Sequence, residues 1–96
     1  MKPYKDYDEF LMKALKQPKA AAAYLNEALK EDDPALFLTA YYNVARAYGV
    51  KTLAEKAKVH RVSLKKMFSK RGNPEWKSLC RVLAASHLQI RLSPCP

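Results

Sequence analysis

Apolar residues recur at helical spacing along the first half of the chain. Phe10, Leu11, Ala14 and Leu15 fall on one stripe of a helix predicted over residues 6–16. Pro18 breaks that helix and suits the first turn of a second one, whose inner side is predicted as Ala21, Tyr24, Leu25, Ala28 and Leu29. The tripeptide "DDP" then punctuates the chain, with Asp33 a good N-cap and Pro34 a good first helical residue. A third helix carries Phe37, Ala40, Tyr41, Val44 and Ala47 inward and stops at Gly49.

Beyond residue 50 the elements shorten. "KTLAEKA" supports two helical turns, with Thr52 a possible cap and Leu53, Ala54 and Ala57 turned inward. "KVH" is a brief break. "RVSLKKMFSK" is the next helix, with Leu64 and Phe68 four residues apart beside Met67, ended by Arg71-Gly72. The last helix, over 75–87, is predicted to bury Trp76, Leu79, Cys80 and Leu83 at i, i+3, i+4 and i+7. "LQIRL" alternates apolar and polar residues, which suits a short strand. The expectation is one all-α domain over 1–96, of five to six short helices and a short C-terminal strand. It divides into N-terminal helices within 6–48, a helix pair over 51–70, a last helix over 75–87 and a tail over 88–96.

Composition agrees with that picture. Ninety-six residues fit one domain, and 49% hydrophobic content with only two glycines favours a helical globule over disorder. No apolar run approaches the roughly 18–20 residues of a membrane span. The opening "MKPYKDYDEF" lacks the apolar core of a secretory signal, so the chain reads as a soluble cytoplasmic protein with no membrane partner. Cys80 and Cys95 do not make a disulfide framework; they read as a buried small hydrophobe and a free tail thiol.

Charge changes the picture. Residues 1–49 hold seven Lys/Arg and seven Asp/Glu, whereas residues 50–96 hold eleven and two, so the whole net charge of +9 lies in the second half. Such asymmetry points to a polyanionic partner. Within it, "HRVSLKKMFSKRGNP" (60–74) carries His60, Arg61, Lys65, Lys66, Lys70 and Arg71 and no acid at all. Two short helices joined by about three residues, the second cationic, form the helix-turn-helix pattern, in which the first helix braces the second as it enters the major groove. Ala54 fits the close crossing of two such helices.

Several chemistries are excluded. With glycine only at 49 and 72, neither GxGxxG nor a P-loop can form. His60 and His87 are too distant for HExxH, and no Cys-x-x-Cys exists. His60 and Ser63 have no neighbouring acid to orient them for nucleophilic catalysis. Glu31, Asp32 and Asp33 lack a completing His or Cys, so no metal is expected there. The expectation is a non-enzymatic protein without cofactor or metal. RNA binding is disfavoured by the lack of a sheet that could present aromatic side chains to bases.

The stretches "YLNEALKEDDPALFLTAYYNVARAYG" (24–49), "LAEKAKV…SL" (53–64) and "FSKRGNP" (68–74), with the apolar helix and "LQIRL" that follow, carry a resemblance across nearly the whole chain. They resemble the addiction-module antidote proteins, a HigA-like branch of the Cro/repressor helix-turn-helix superfamily. The resemblance implies a repressor-like all-α domain, pairing with a small toxin of the RelE/HigB type, and autorepression of a shared operon. The chain departs from the family pattern at Lys58, where the turn usually has Gly, and at His60, where the recognition helix usually has a Ser cap. Val62 replaces a common acid, Glu75 a capping Thr and His87 a helix-ending Gly. A Lys at position 58 costs stability if the turn needs φ > 0. A lost hydroxyl cap costs about 0.5–2 kcal/mol.

The cations then take roles. Arg61, Val62 and Lys65 are expected near bases, Arg61 as a guanine donor and Val62 against a thymine methyl. Lys51, Lys58, Ser63, Lys66, Lys70 and Arg71 are expected on phosphates, with Thr52 and His60 completing the double-stranded-DNA set. Two copies on adjacent half-sites imply a homodimer, for which the last helix and the "LQIRL" strand are candidates. The acidic-aromatic start, with Tyr4, Asp6, Tyr7, Asp8, Glu9 and Phe10, is a candidate toxin contact. The rival reading is a free-standing helix-turn-helix regulator with no toxin.

Overall fold

Prolines and glycines set the element boundaries. The computed structural model describes residues 3–96, with side chains from residue 6 onward, so Tyr4 as a side-chain contact lies outside the described residues. Among the described residues six helices follow one another: α1 Pro3–Leu15, α2 Pro18–Leu29, α3 Pro34–Tyr48, α4 Val50–Ala57, α5 Arg61–Met67 and α6 Trp76–Ala85. Pro18 and Pro34 occupy first-turn positions, and the Asp33 carboxylate accepts the Ala35 N–H at 3.0 Å, capping α3 as its sequence predicts. Gly49, at φ 109°, closes α3 through its N–H to the Ala45 carbonyl and opens α4 by accepting the Leu53 N–H, both at 2.9 Å. A side chain at this φ would be strained.

The core is built on α3. Tyr41, Val44 and Ala45 are fully or nearly fully buried, and they meet Leu15, Ala21 and Leu25 on one side and Leu53, Leu64, Phe68 and Val82 on the other. α1 and α2 pack against α3, while α4 links α3 to α5 and α6. Tyr41 joins the two groups. Its ring lies 4.5 Å from that of Phe68, and its hydroxyl shares a 2.7 Å hydrogen bond with Ser86 Oγ at the end of α6. Burial pushes the Tyr41 phenol up to about 12, the Ser86 bond pulling weakly the other way. On the outside, Arg46 donates to Asp8 at 2.8 Å and ties α3 to α1.

Several expectations are corrected. Phe10 is 71% exposed, and Leu29 and Trp76 also face solvent. In α6 the inward stripe is Leu79, Val82, Leu83 and Ser86, not Trp76, Leu79, Cys80 and Leu83. The helix is turned so that Ser86 and the Val82 carbonyl reach the Tyr41 hydroxyl, and that rotation moves Trp76 and Cys80 out. α5 ends at Met67 rather than near residue 70, because Phe68 leaves helical geometry and Gly72 closes a turn onto the Ser69 carbonyl at 2.9 Å. "LQIRL" is no strand: residues 88–96 have no regular structure, since none of the described residues offers a ladder to pair with. No helix is long and apolar enough to cross a membrane, among the described residues.

Two helices end against the rule for L-residues. Lys58 (φ 57°) and His87 (φ 64°) are left-handed, and each sits in a Schellman closure: Val59 N–H to the Ala54 carbonyl at 3.0 Å, and Leu88 N–H to the Leu83 carbonyl at 2.9 Å. Lys58→Gly and His87→Gly should each raise the unfolding free energy by about 0.5–1 kcal/mol, read as a higher urea midpoint; an unchanged or lower midpoint would contradict the strain. The Tyr41 phenol gives a pH signature. Between about 10 and 12 the native state keeps a proton that the unfolded chain has lost, so stability falls as pH rises through that window. The Tyr41→Phe variant should show a shallower decline there in denaturant titrations.

Candidate nucleic-acid interface

α4 and α5 are held together by their own apolar sides. Leu53, Ala54 and Ala57 of α4 are buried, as is Leu64 of α5, followed by buried Phe68 and half-buried Met67. Ala54 is 3% exposed, and its carbonyl also receives the Val59 N–H of the turn. The connection Lys58-Val59-His60 is only three residues long because Lys58 adopts the left-handed conformation that reverses the chain. Val59 tucks half-buried beneath it.

With Leu64 and Phe68 facing inward, the helical turn of about 100° per residue sets every other side chain of α5. Val62 and Lys66 point away from the core, Arg61 and Lys65 share one flank, and Ser63 lies on the other; all five are exposed. His60 is the N-cap residue, but its side chain makes no capping bond, so the first-turn N–H groups of α5 have no side-chain acceptor. Lys70 and Arg71 follow in the turn after Phe68 and are also exposed. Gly72 permits that turn: a Cβ there would collide with the Met67 and Lys66 carbonyl oxygens. Ser69 Oγ donates to the Lys66 carbonyl at 2.9 Å and closes α5.

Lys51 and Thr52 lie exposed in the first turn of α4, and Thr52 does not cap it, since Gly49 holds that position. All eleven residues singled out from the sequence are therefore on the surface, nine of them along the stretch 58–71 and two at the start of α4. Among the described residues none of their cations is tied into an ion pair. Lys56 differs. Its ammonium donates to the Tyr48 hydroxyl at 2.6 Å and sits 5.2 Å from the centre of that ring, so it is partly engaged. Lys77 and Arg81, exposed on α6, are further cations that helical-pattern reasoning passed over because attention fell on the apolar stripe of that helix. The arrangement is a cationic ridge with one apolar residue, Val62, at its crest; on its flank Glu75 lines one hollow with His60 and Ser63, so those two have an acid nearby that the sequence did not reveal. Such a ridge can meet phosphates and base edges.

Comparison with known proteins adds the family. The profile of the family described as "Probable addiction module antidote protein" matches residues 5–94. The chain belongs to this antidote family. A protein of Haemophilus influenzae, described as uncharacterized, is 34% identical over 88 residues, covering 92% of this chain and 89% of its own length. No solved structure matches the chain. The antidote family membership spans α1 to the tail, so it includes the α4–α5 pair together with the helices that support it.

The unfilled cap at His60 makes a local prediction. His60→Ser should supply an acceptor for the Ser63 N–H and raise stability by about 0.5–1 kcal/mol in urea unfolding. No gain would mean that the α5 N-terminus is already satisfied by another group.

Proposed function

We propose that the chain is the antitoxin of a toxin–antitoxin pair, a non-enzymatic protein that neutralises a small RelE/HigB-like toxin and represses its own operon through a helix-turn-helix formed by α4 and α5. The observation that carries the DNA part is the outward row Arg61, Val62, Lys65 and Lys66, exposed on a helix whose other side is anchored by fully buried Leu64 and Phe68. A rigidly seated helix with cations and no carboxylate is suited to a polyanion, because phosphate repels acids and ordered side chains lose less entropy on binding. Arg61, Val62 and Lys65 are assigned to base edges. Lys51, Thr52, Lys58, His60, Ser63, Lys66, Lys70 and Arg71 are assigned to the phosphate track. The chain acts in the cytoplasm as a homodimer on paired half-sites.

The toxin part rests on family membership, and α1 supplies a surface for it. Tyr7 and Phe10 are 62% and 71% exposed, and Asp6 and Glu9 lie exposed beside them, whereas Asp8 is already engaged by Arg46. An aromatic and acidic helix face suits a basic partner.

The test is co-expression with the product of the adjacent open reading frame, followed by pull-down and by gel shift on the upstream DNA. If one monomer neutralises roughly four phosphates, log K against log salt has a slope of about −3.6 per monomer and about twice that for a dimer. Arg61→Ala should cost about 1–3 kcal/mol on the best site and relax one base position, whereas Lys66→Ala should weaken all sequences alike. Salt-independent association would refute the DNA assignment. DNA binding without any toxin partner would leave the free-standing regulator.

A further inference from the structure

Along α2, three shallow hollows succeed one another from its N-terminal to its C-terminal end. The first, about 410 Å³, is walled by Pro18, Lys19, His87 and Arg91. The second, about 80 Å³, lies between Leu25, Leu29, Phe37, Leu88 and Ile90. The third, about 370 Å³, sets Leu29, Phe37 and Leu79 beside Glu31, Asp32 and Asp33. Neighbouring hollows share walls: Ala22, Asn26 and Leu88 join the first to the second, and Leu29 and Phe37 join the second to the third. They make one continuous surface along a 12-residue helix, about 18 Å long at 1.5 Å per residue.

The order of chemistry along this surface is unusual for a chain of net charge +9. Lys19 lies at one end, Arg91 lines both that end and the apolar middle, and Glu31, Asp32 and Asp33 lie at the other end, where the neighbouring Lys30 is paired with Glu27 at 2.9 Å. Asp33 is committed to its cap, leaving Glu31 and Asp32 to face outward. The middle is not sealed by the chain itself: Leu29 and Ile90 are 55% and 42% exposed. Gln89, Ile90 and Arg91 line this face, and no backbone hydrogen bond ties them to the rest of the described residues.

We infer that this face, made of α2, the α2–α3 turn and residues 88–91, is where a second copy of the chain docks, the two copies lying antiparallel about a two-fold axis. A patch whose charge reverses along its length is complementary to itself under such an axis. The Arg91 and Lys19 end of each copy meets the Glu31 and Asp32 end of the other, and Leu29 and Ile90 of both copies close over the middle. Parallel stacking would set like charges together and is disfavoured. The contact is side-chain docking rather than strand pairing. It leaves α5 free on each copy, and it requires neither toxin nor DNA.

The experiment is sedimentation equilibrium of the full chain without DNA, with Arg91→Glu, with Asp32→Lys, and with the two variants mixed in equal amounts. Both positions are exposed, and circular dichroism with urea unfolding checks that each variant keeps its fold. The wild type should dimerise, and each single variant should weaken the dimer by at least about tenfold, since both ends of the interface then carry like charges. The mixture should recover near wild-type association, because a heterodimer sets opposite charges together at both ends. At one end the two substituted side chains meet, and at the other the native Arg91 meets the native Asp32. A third variant, Ile90→Asp, should weaken the dimer without rescue by either partner. A wild type that stays monomeric to millimolar concentration would overturn the inference. So would single variants that dimerise as well as wild type, or a mixture that associates no better than its components.

Discussion

The contact between Tyr41 and two partners far along the chain organises the molecule. A phenol with no solvent exposure must place its hydroxyl on an acceptor, since leaving it unpaired would cost about 1–3 kcal/mol. Ser86 provides that partner, and the Val82 carbonyl lies at 3.4 Å. The Tyr41 ring meanwhile presses on Phe68, the residue that terminates α5. One side chain of α3 therefore fixes both the rotation of α6 and the depth at which α5 is seated. Had α6 turned to bury Trp76, the Ser86 hydroxyl would have left Tyr41, so the bulkiest side chain of the helix lies outside.

From that constraint follows a division of labour. α1, α2 and α3 are neutral in sum and supply most of the buried surface on which the shorter elements rest. α4 and α5 contribute small or few apolar residues to the core, and their remaining positions are available for charge. α5 has only seven residues, too short to be stable alone, so its helicity comes from Leu64 and Phe68 packing. Its anchoring allows an exposed, acid-free row of cations that would otherwise repel one another across a flexible loop. The left-handed Lys58 and the empty cap at His60 are local costs carried at the turn between the two helices.

Much of this was legible in the sequence, for specific reasons. Pro18, Asp33-Pro34 and Gly49 act through their own backbones, so their positions fix boundaries whatever the tertiary context. The inner face of α4 was readable because Leu53, Ala54 and Ala57 leave no competing apolar stripe; on α3 the spacing picked out Ala40, Tyr41, Val44 and Ala47 but missed buried Leu38 and Ala45 and took half-buried Phe37 as inward, because that helix is apolar on more than one side. α6 had two stripes, offset by less than half a turn, that shared Leu79 and Leu83. Choosing between them required knowing that Tyr41 needed Ser86, a contact 45 residues away in sequence. The alternation in "LQIRL" was real but could not reveal the lack of a neighbouring strand. Phe10 and Leu29 were read as core because hydrophobicity does not distinguish a buried position from one awaiting a partner. The surface position of the candidate DNA residues followed from helical phase once Leu64 and Phe68 were assigned inward; which base or phosphate each would touch is not encoded in phase at all.

Whether the outward side of α5 meets a DNA duplex is tested by titrating the isotopically labelled full chain with duplex DNA from upstream of its gene, followed through backbone amide shifts. The largest changes are expected from Arg61 to Lys66, with further changes at Lys70, at Arg71 and at the start of α4, and little over α1. Binding that leaves α5 unperturbed, or centres on another face, would contradict that contact.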